Sequence, residues 1–330
     1  MEMRNLGHGP HVSAVGLGCM SMSGIYGPSD RAEAIRTIHE ALDAGITPLD
    51  TGDFYGMGHN ELLIAEALRD RPRDSYQLSV KFGALRDPGN GWGGTDMRPA
   101  ALKNFLAYSL QRLGTDHIDI YRPARLDPNV PIEDTVGALA ECVQAGWVRY
   151  IGLSEVGAET LRRASAVHPI CDLQIEYSLV SRSIERAVLP AARELGIAIT
   201  AYGILSRGLL SGHWHPDAAQ HGDLRSHYPR FSTGNVEANL RLVGRLRELA
   251  PAYGATPTQL AMAWVAAQGG DIFPLIGARR PAQLREALGA LDIRLSVEAV
   301  AHISAAISPD MIQGERYAPA QMAHLDSEKV

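Results

Sequence analysis

Eight short apolar runs, each followed by a stretch of helical apolar spacing, alternate along nearly the whole chain, and this alternation constrains the fold more than any other feature. Residues 15–20, 46–50, 76–81, 117–124, 148–154, 171–177, 197–203 and 272–277 read as strands. Residues 30–45, 60–70, 98–114, 131–146, 157–167, 184–196, roughly 236–253 and 281–291 read as the helices between them. The first of these opens on Asp30 with Glu33 three residues on, a capping arrangement. Crossovers of this length suit parallel pairing. Eight such units predict a closed (β/α)8 TIM barrel. Two short extended pieces around His8-Gly9-Pro10 predict an N-terminal β-hairpin covering one end. Residues 256–268 and 296–308 also carry helical spacing and are the candidates for extra helices toward the C-terminus. No linker rich in Pro, Gly or Ser divides the chain, so a single domain over 1–330 is expected.

Composition narrows the function classes. With 330 residues, 45% apolar and 21% charged, the chain can bury a large core, and α/β barrels reach this size as one unit. A net charge of −6 argues against general nucleic-acid binding. No apolar run reaches the ~18 residues of a membrane span, and MEMRNLGHGP lacks the apolar core of a signal peptide. A cytoplasmic protein with no membrane partner is expected. Cys19, Cys142 and Cys171 are odd in number and scattered, which gives neither a disulfide framework nor a metal spacing. His213 and His215 are spaced like metal ligands but have no evident third ligand, so no metal is expected. No feature fixes an oligomeric state.

Barrel chemistry sits at the carboxyl ends of the strands. Asp50 closes the run ITPLD, Lys81 ends YQLSVK, and Tyr55 lies on the Gly-rich loop between them. A phenol with a pKa near 10 is a weak acid at neutral pH, and a neighbouring ammonium is expected to lower it. Asp50 would hold and charge that lysine. Ser154, Gln174 and Tyr202 reach the same rim. The long 203–235 segment opens with Gly203, Ser206, Gly208 and Gly212 around Arg207, which suits backbone approach to phosphates. Arg279 and Arg280 stand just before a helix beginning at Pro281, where an anion would bind. Two arginines in a loop are also an ordinary solvated surface.

Together GLGCMSMSG (16–24), GITPLDTGDFYG (45–56), LSVKFG (78–83), IGLSE (151–155), AYGILSRGLLSG (201–212) and IGARRPAQLREAL (276–288) resemble an aldo-keto reductase. The resemblance spans nearly the whole chain in order. It implies an NADP-dependent enzyme that reduces a small-molecule carbonyl with NADPH, without a metal or a Rossmann domain. Position by position, Tyr55 matches the general acid, Lys81 its pKa-lowering partner and Asp50 their anchor, close to the coenzyme. Ser154 and Gln174 match residues that bind the nicotinamide carboxamide, and Tyr202 the aromatic that stacks on the ring. The segment from Gly203 to Gly212, with Ile204, Leu205, Ser206, Gly208 and Leu210, matches the pyrophosphate loop. Gly277 and Arg279 fall at the 2′-phosphate end, Arg279 on its basic position with Arg280 as the fallback, and Gln283 and Glu286 match positions around the adenosine.

Three departures stand out. Ala124 occupies the position of the family's catalytic histidine, Glu155 that of an asparagine that donates to the carboxamide, and Ala287 that of an adenine-contacting asparagine. The first two resemble the pyridoxal reductase branch, which implies a bulky cyclic or aromatic carbonyl. Either Tyr55 works alone or another donor substitutes. Arg122, two residues before Ala124, is one such donor, or else is salt-bridged one layer deeper. Pocket walls are expected from 83–94, from 213–235 and from the tail beyond 309, with Trp92, Trp214, Tyr228 and Phe231 as walls or as loop packing. The alternative function is an NADPH-binding regulatory or redox-sensing module, which a missing histidine also fits.

Overall fold

The structure, a computed structural model, describes residues 1–89, 91–215 and 223–329. The chain begins with an antiparallel hairpin, β1 (Met3–Asn5) and β2 (His11–Ser13). The barrel strands follow: β3 (Gly16–Gly18), β4 (Pro48–Gly52) and β5 (Gln77–Phe82). A second hairpin, β6 (Ala84–Arg86) with β7 (Trp92–Thr95), is inserted next. The barrel resumes with β8 (Ile118–Pro123), β9 (Val148–Ser154), β10 (Ile170–Glu176), β11 (Ala198–Tyr202) and β12 (Ile272–Gly277). All eight barrel strands pair in parallel in chain order, and β12 returns to β3 to close the ring. The protein is the expected (β/α)8 barrel.

Its helices are α1 (Arg31–Asp43), α2 (His59–Leu68), α3 (Pro99–Leu113), α4 (Ile132–Gln144), α5 (Ala158–Val167) and α6 (Val188–Glu194). They are followed by α7 (Thr233–Leu249), α8 (Pro257–Ala266), α9 (Pro281–Leu288), α10 (Val297–Ala306) and the single turn α11 (Pro319–Met322). Asp30 caps α1 by accepting from the Glu33 amide at 2.7 Å. Of the two candidate extra helices, α10 follows the barrel, whereas α8 lies inside the last crossover before β12. Its boundary is set by a capping box between Thr256 and Gln259.

The first hairpin closes the amino-terminal end. Leu6 and Val12 cluster with Ile120, Cys171, Ala198 and Phe273 beneath the strands. Gly7 (φ +55) is required there, because a Cβ would lie 2.2 Å from the Cys171 carbonyl oxygen. Above this floor the barrel interior turns polar. Arg122 lies 2.9 Å from both oxygens of Asp172, whose Oδ2 also accepts from Thr200 Oγ1 at 2.5 Å. Arg122 Nη1 reaches Asp50 Oδ2 at 3.5 Å. Gly152 on β9 makes room for this pair, since a Cβ would fall 2.5 Å from Asp172 and 2.8 Å from Arg122 Nε.

Candidate active site

Strand register assembles the candidate catalytic group. Asp50 on β4 pairs with Ser79 on β5, and Gly52 with Lys81. Both Asp50 and Lys81 therefore point to the barrel centre at its carboxyl end, and each is about 95% buried. Lys81 Nζ bonds Asp50 Oδ1. Asp50 Oδ2 accepts from Ser79 Oγ at 2.9 Å and from Gln174 Nε2 at 2.7 Å. Burial pulls the Lys81 pKa down, opposed by Asp50, and Arg122 adds to the lowering.

Tyr55 is held over this pair by its loop. Its amide donates to the Gly52 carbonyl at 3.0 Å, and its carbonyl accepts from the Asn60 amide at 3.2 Å. Asn60 is buried and ties the loop to its neighbours through Thr51, Cys19 and Ser23. Lys81 Nζ lies 5.1 Å from the Tyr55 ring centroid. The expected lowering of the phenol is overturned here: burial pushes the Tyr55 pKa well up, the Asp50 charge adds to this, and Arg125 opposes it. Tyr55 is therefore a fully protonated phenol at neutral pH.

The coenzyme candidates follow along β9 to β12 and beyond. The Ser154 hydroxyl is buried and has no hydrogen-bond partner among the described residues. Gln174 pairs in register with Ser154 and Thr200, so the three strand ends lie side by side. Tyr202 donates to Glu155 Oε1 at 2.6 Å and meets the Tyr317 hydroxyl at 2.9 Å. Gly203 (φ +68) opens the loop through Ile204, Leu205, Ser206, Gly208 and Leu210, and Ser206 Oγ accepts from Arg230 at 3.1 Å. Past Gly277, Arg279 Nη1 donates to the carbonyls of Tyr26 and Gly27, both at 3.0 Å, and its Nε and Nη2 have no hydrogen-bond partner among the described residues. Burial lowers the Arg279 pKa, with Arg280 and Arg225 adding to it. Gln283 Oε1 accepts from the Arg279 amide at 3.1 Å, and Glu286 accepts from Thr256 at 2.9 Å and pairs with His213 at 3.2 Å. Arg280 is exposed beside Glu33. An orphaned buried hydroxyl, a left-handed glycine opening the loop and a half-free guanidinium before α9 together fit an extended nicotinamide coenzyme.

Several other expectations are now placed. Arg122 is salt-bridged one layer deeper, bound to Asp172 and Asp50. Trp214 and Phe231 pack against each other at 5.1 Å within the core, so they are loop packing. Trp92 is exposed on the second hairpin, and Tyr228 lies under the Arg207 guanidinium at 4.3 Å. Residues 216–222 of the expected wall segment 213–235 lie outside the described residues. Among the described residues no group of three His, Cys, Asp or Glu is placed to hold a metal ion, and no helix is long and apolar enough to cross a membrane.

Glu155, a carboxylate that can only accept, turns to the C-terminal tail. It adopts a left-handed backbone (φ +54) that suits asparagine better. Its carboxylate binds Arg316 of the C-terminal tail through both oxygens. The tail thereby crosses the barrel mouth. It brings Tyr317 beside Tyr202 and beside Arg125, whose Nη2 is 3.2 Å from the Tyr317 hydroxyl. Arg125, Arg316 and Tyr317 carry no periodic or motif signal in the sequence. Only the position of Arg125 next to Ala124 hinted at the site.

Comparisons with known proteins give the family and bear out the fold. A model of the aldo/keto reductase family matches residues 14–308. The probable aldo-keto reductase 1 of Glycine max is 39% identical over 314 residues, covering 94% of this chain and 89% of that protein. Among solved structures, the glycerol dehydrogenase AKR11B4 of Gluconobacter oxydans superposes with a TM-score of 0.82 at 31% identity, over 93% of this chain and 96% of that one. The holo form of the aldo-keto reductase AKR11C1 of Bacillus halodurans gives 0.78 at 28% identity, over 94% and 97%.

Proposed function

We propose that this chain, which belongs to the aldo/keto reductase family, reduces an aldehyde or ketone to the alcohol with NADPH, as one barrel domain over residues 1–330. The observation that carries this reading is the buried Asp50–Lys81 pair beside the Tyr55 ring at the carboxyl end of the barrel. NADPH, when bound, supplies the hydride. Ser154 and Gln174 would hold its carboxamide and Tyr202 its ring. The loop from Gly203 to Leu210 would take the pyrophosphate, and Gly277, Arg279, Gln283 and Glu286 the adenosine end.

The chain's own part in the chemistry is proton delivery. The neutral Tyr55 phenol hydrogen-bonds to the carbonyl oxygen and protonates the alkoxide that develops there. A positioned acid of this kind contributes about 10²- to 10⁴-fold. An alkoxide is a stronger base than a phenolate, so a raised phenol pKa still permits transfer. Lys81, kept charged by Asp50, then stabilises the phenolate left behind. Ala124 and Glu155 support a place near the pyridoxal reductase-like branch and a bulky cyclic or aromatic carbonyl such as pyridoxal. The name of the glycerol dehydrogenase relative keeps small hydroxy-carbonyls in view.

The test is a panel of aldehydes and ketones, pyridoxal included, with NADPH and with NADH, comparing single-turnover hydride transfer with steady-state turnover. Multiple turnovers with an NADPH preference are expected. A fast single turnover followed by stalling would favour the NADPH-binding sensor. No oxidation of NADPH by any carbonyl would overturn the reductase reading.

A further inference from the structure

Four guanidinium groups gather at the barrel mouth, and three have carboxylate partners. Arg207 lies 3.3 Å from Glu176, and Arg230 lies 3.4 Å from the same residue. Arg316 binds Glu155 at 2.5 Å and Glu328 at 2.8 Å. Arg125 has none among the described residues. Its Nη1 folds back onto the Ala124 carbonyl at 2.6 Å, and its Nη2 bonds the Tyr317 hydroxyl at 3.2 Å. Both partners are neutral. The carboxylate whose charge reaches it, Glu155, is already taken up by Arg316. Burial disfavours the Arg125 charge while Tyr317, Tyr202 and Glu155 oppose this; a partly buried cation with no carboxylate of its own among the described residues still carries a desolvation cost that an incoming anion would relieve.

Its position says which molecule brings that anion. The coenzyme candidates lie on the arc from β9 to β12 and on the loops that follow those strands. Arg125 instead follows β8, on the arc that carries Asp50, Tyr55 and Lys81, and is next in sequence to Ala124. Its charge is felt by both Tyr55 and Lys81. We infer that Arg125, with the Tyr317 hydroxyl beside it, forms a substrate subsite for an anionic group, so that the enzyme acts on carbonyl compounds carrying a carboxylate or phosphate. Arg125 is then a substrate-positioning residue, holding the anion so that the carbonyl lies against Tyr55. The planar guanidinium and the phenol match two oxygens of such a group. This inference rests on the carbonyl-reduction reading.

The experiment compares 4-carboxybenzaldehyde with its methyl ester, two substrates that share the reacting carbonyl and differ in one charge. Wild type, Arg125→Gln and Arg125→Lys are each assayed for kcat/KM, and binding of terephthalate to NADP-saturated protein is measured by calorimetry. Wild type is expected to prefer the carboxylate. Arg125→Gln should lower the carboxylate-to-ester ratio of kcat/KM by at least ~10-fold and weaken terephthalate by a similar factor. Arg125→Lys should restore part of both. An unchanged ratio in Arg125→Gln, or wild type that shows no preference and binds no terephthalate, overturns the anion subsite. Loss of NADP affinity in Arg125→Gln also overturns it, because the anion would then belong to the coenzyme. If wild type binds terephthalate through Arg125 but reduces neither aldehyde, the subsite stands and the reduction reading alone fails.

Discussion

Tyr55 shows how burial decides the state of a single side chain. The sequence placed a phenol, an ammonium and a carboxylate at neighbouring strand ends, because each closes or follows an apolar run. It did not show that the phenol would be buried, which together with the Asp50 charge raises the pKa against the opposing Arg125. Tyr55→Phe removes the positioned proton donor and should lower kcat at least ~100-fold, with little change in coenzyme affinity by fluorescence titration. Near-normal turnover would exclude Tyr55 as the acid. Two residues earlier, Asp53 was not singled out at all. Its burial, with the Glu61 charge adding, pushes its pKa up to about 7. In the unfolded chain it titrates near ~3.9. Its favourable contribution is therefore complete below about pH 4 and is lost as pH rises through about 7. Asp53→Asn should be the more stable protein at pH 8 by about 1–2 kcal/mol, allowing for solvent screening of a partly exposed carboxyl. At pH 4 the two should unfold alike. A stability difference in urea that does not vary with pH would exclude this titration.

At the scale of elements, the barrel strands and their helices were legible because hydrophobic periodicity is a local signal. The second hairpin was not. Its segment GALRDPGNGWGG is dominated by turn residues, and only the pairing of Ala84 with Thr95 and Arg86 with Trp92 makes it a ribbon. The C-terminal tail was expected as a pocket wall, but its anchor was not legible: it is a contact between Glu155 and Arg316, 161 residues apart. Burial disfavours the Glu155 charge, yet Arg316, its hydrogen bonds and Arg125 hold that carboxyl well below the usual range. Such a group stabilises the fold above the ordinary carboxylate pKa and loses that contribution as the solution becomes more acidic. Arg316→Ala strands Glu155 without its main counter-charge and should cost about 3–5 kcal/mol, measured as a lowered urea midpoint at pH 7. Arg316→Lys should recover only part, since an ammonium cannot match the two-oxygen contact. If Arg316→Ala unfolds like wild type, the tail is not held by this pair.

For the whole molecule, the closed ring brings charges from separate strands into one column along the barrel axis. The apolar hairpin floor lies at one end, the Arg122–Asp172 pair with Thr200 in the middle, and Asp50 with Lys81 at the mouth. The alternation of strands and helices made the ring legible, but not this column. Arg122 alone could equally have faced substrate, and only the pairing order that sets β9 between β8 and β10 puts Asp172 within its reach. Breaking the pair from one side should therefore cost more than removing it. Arg122→Met leaves Asp172 buried without its main partner and should destabilise by about 3–5 kcal/mol. Adding Asp172→Leu should recover much of that loss, because two apolar side chains fill the same space without a stranded charge. The measurement is a double-mutant cycle on urea unfolding. In the double variant Asp50 also loses the Arg122 contact at 3.5 Å while keeping Lys81, Ser79 and Gln174. The folded double variant should therefore keep measurable turnover. Additive losses from the two substitutions would show that the column is not a coupled unit.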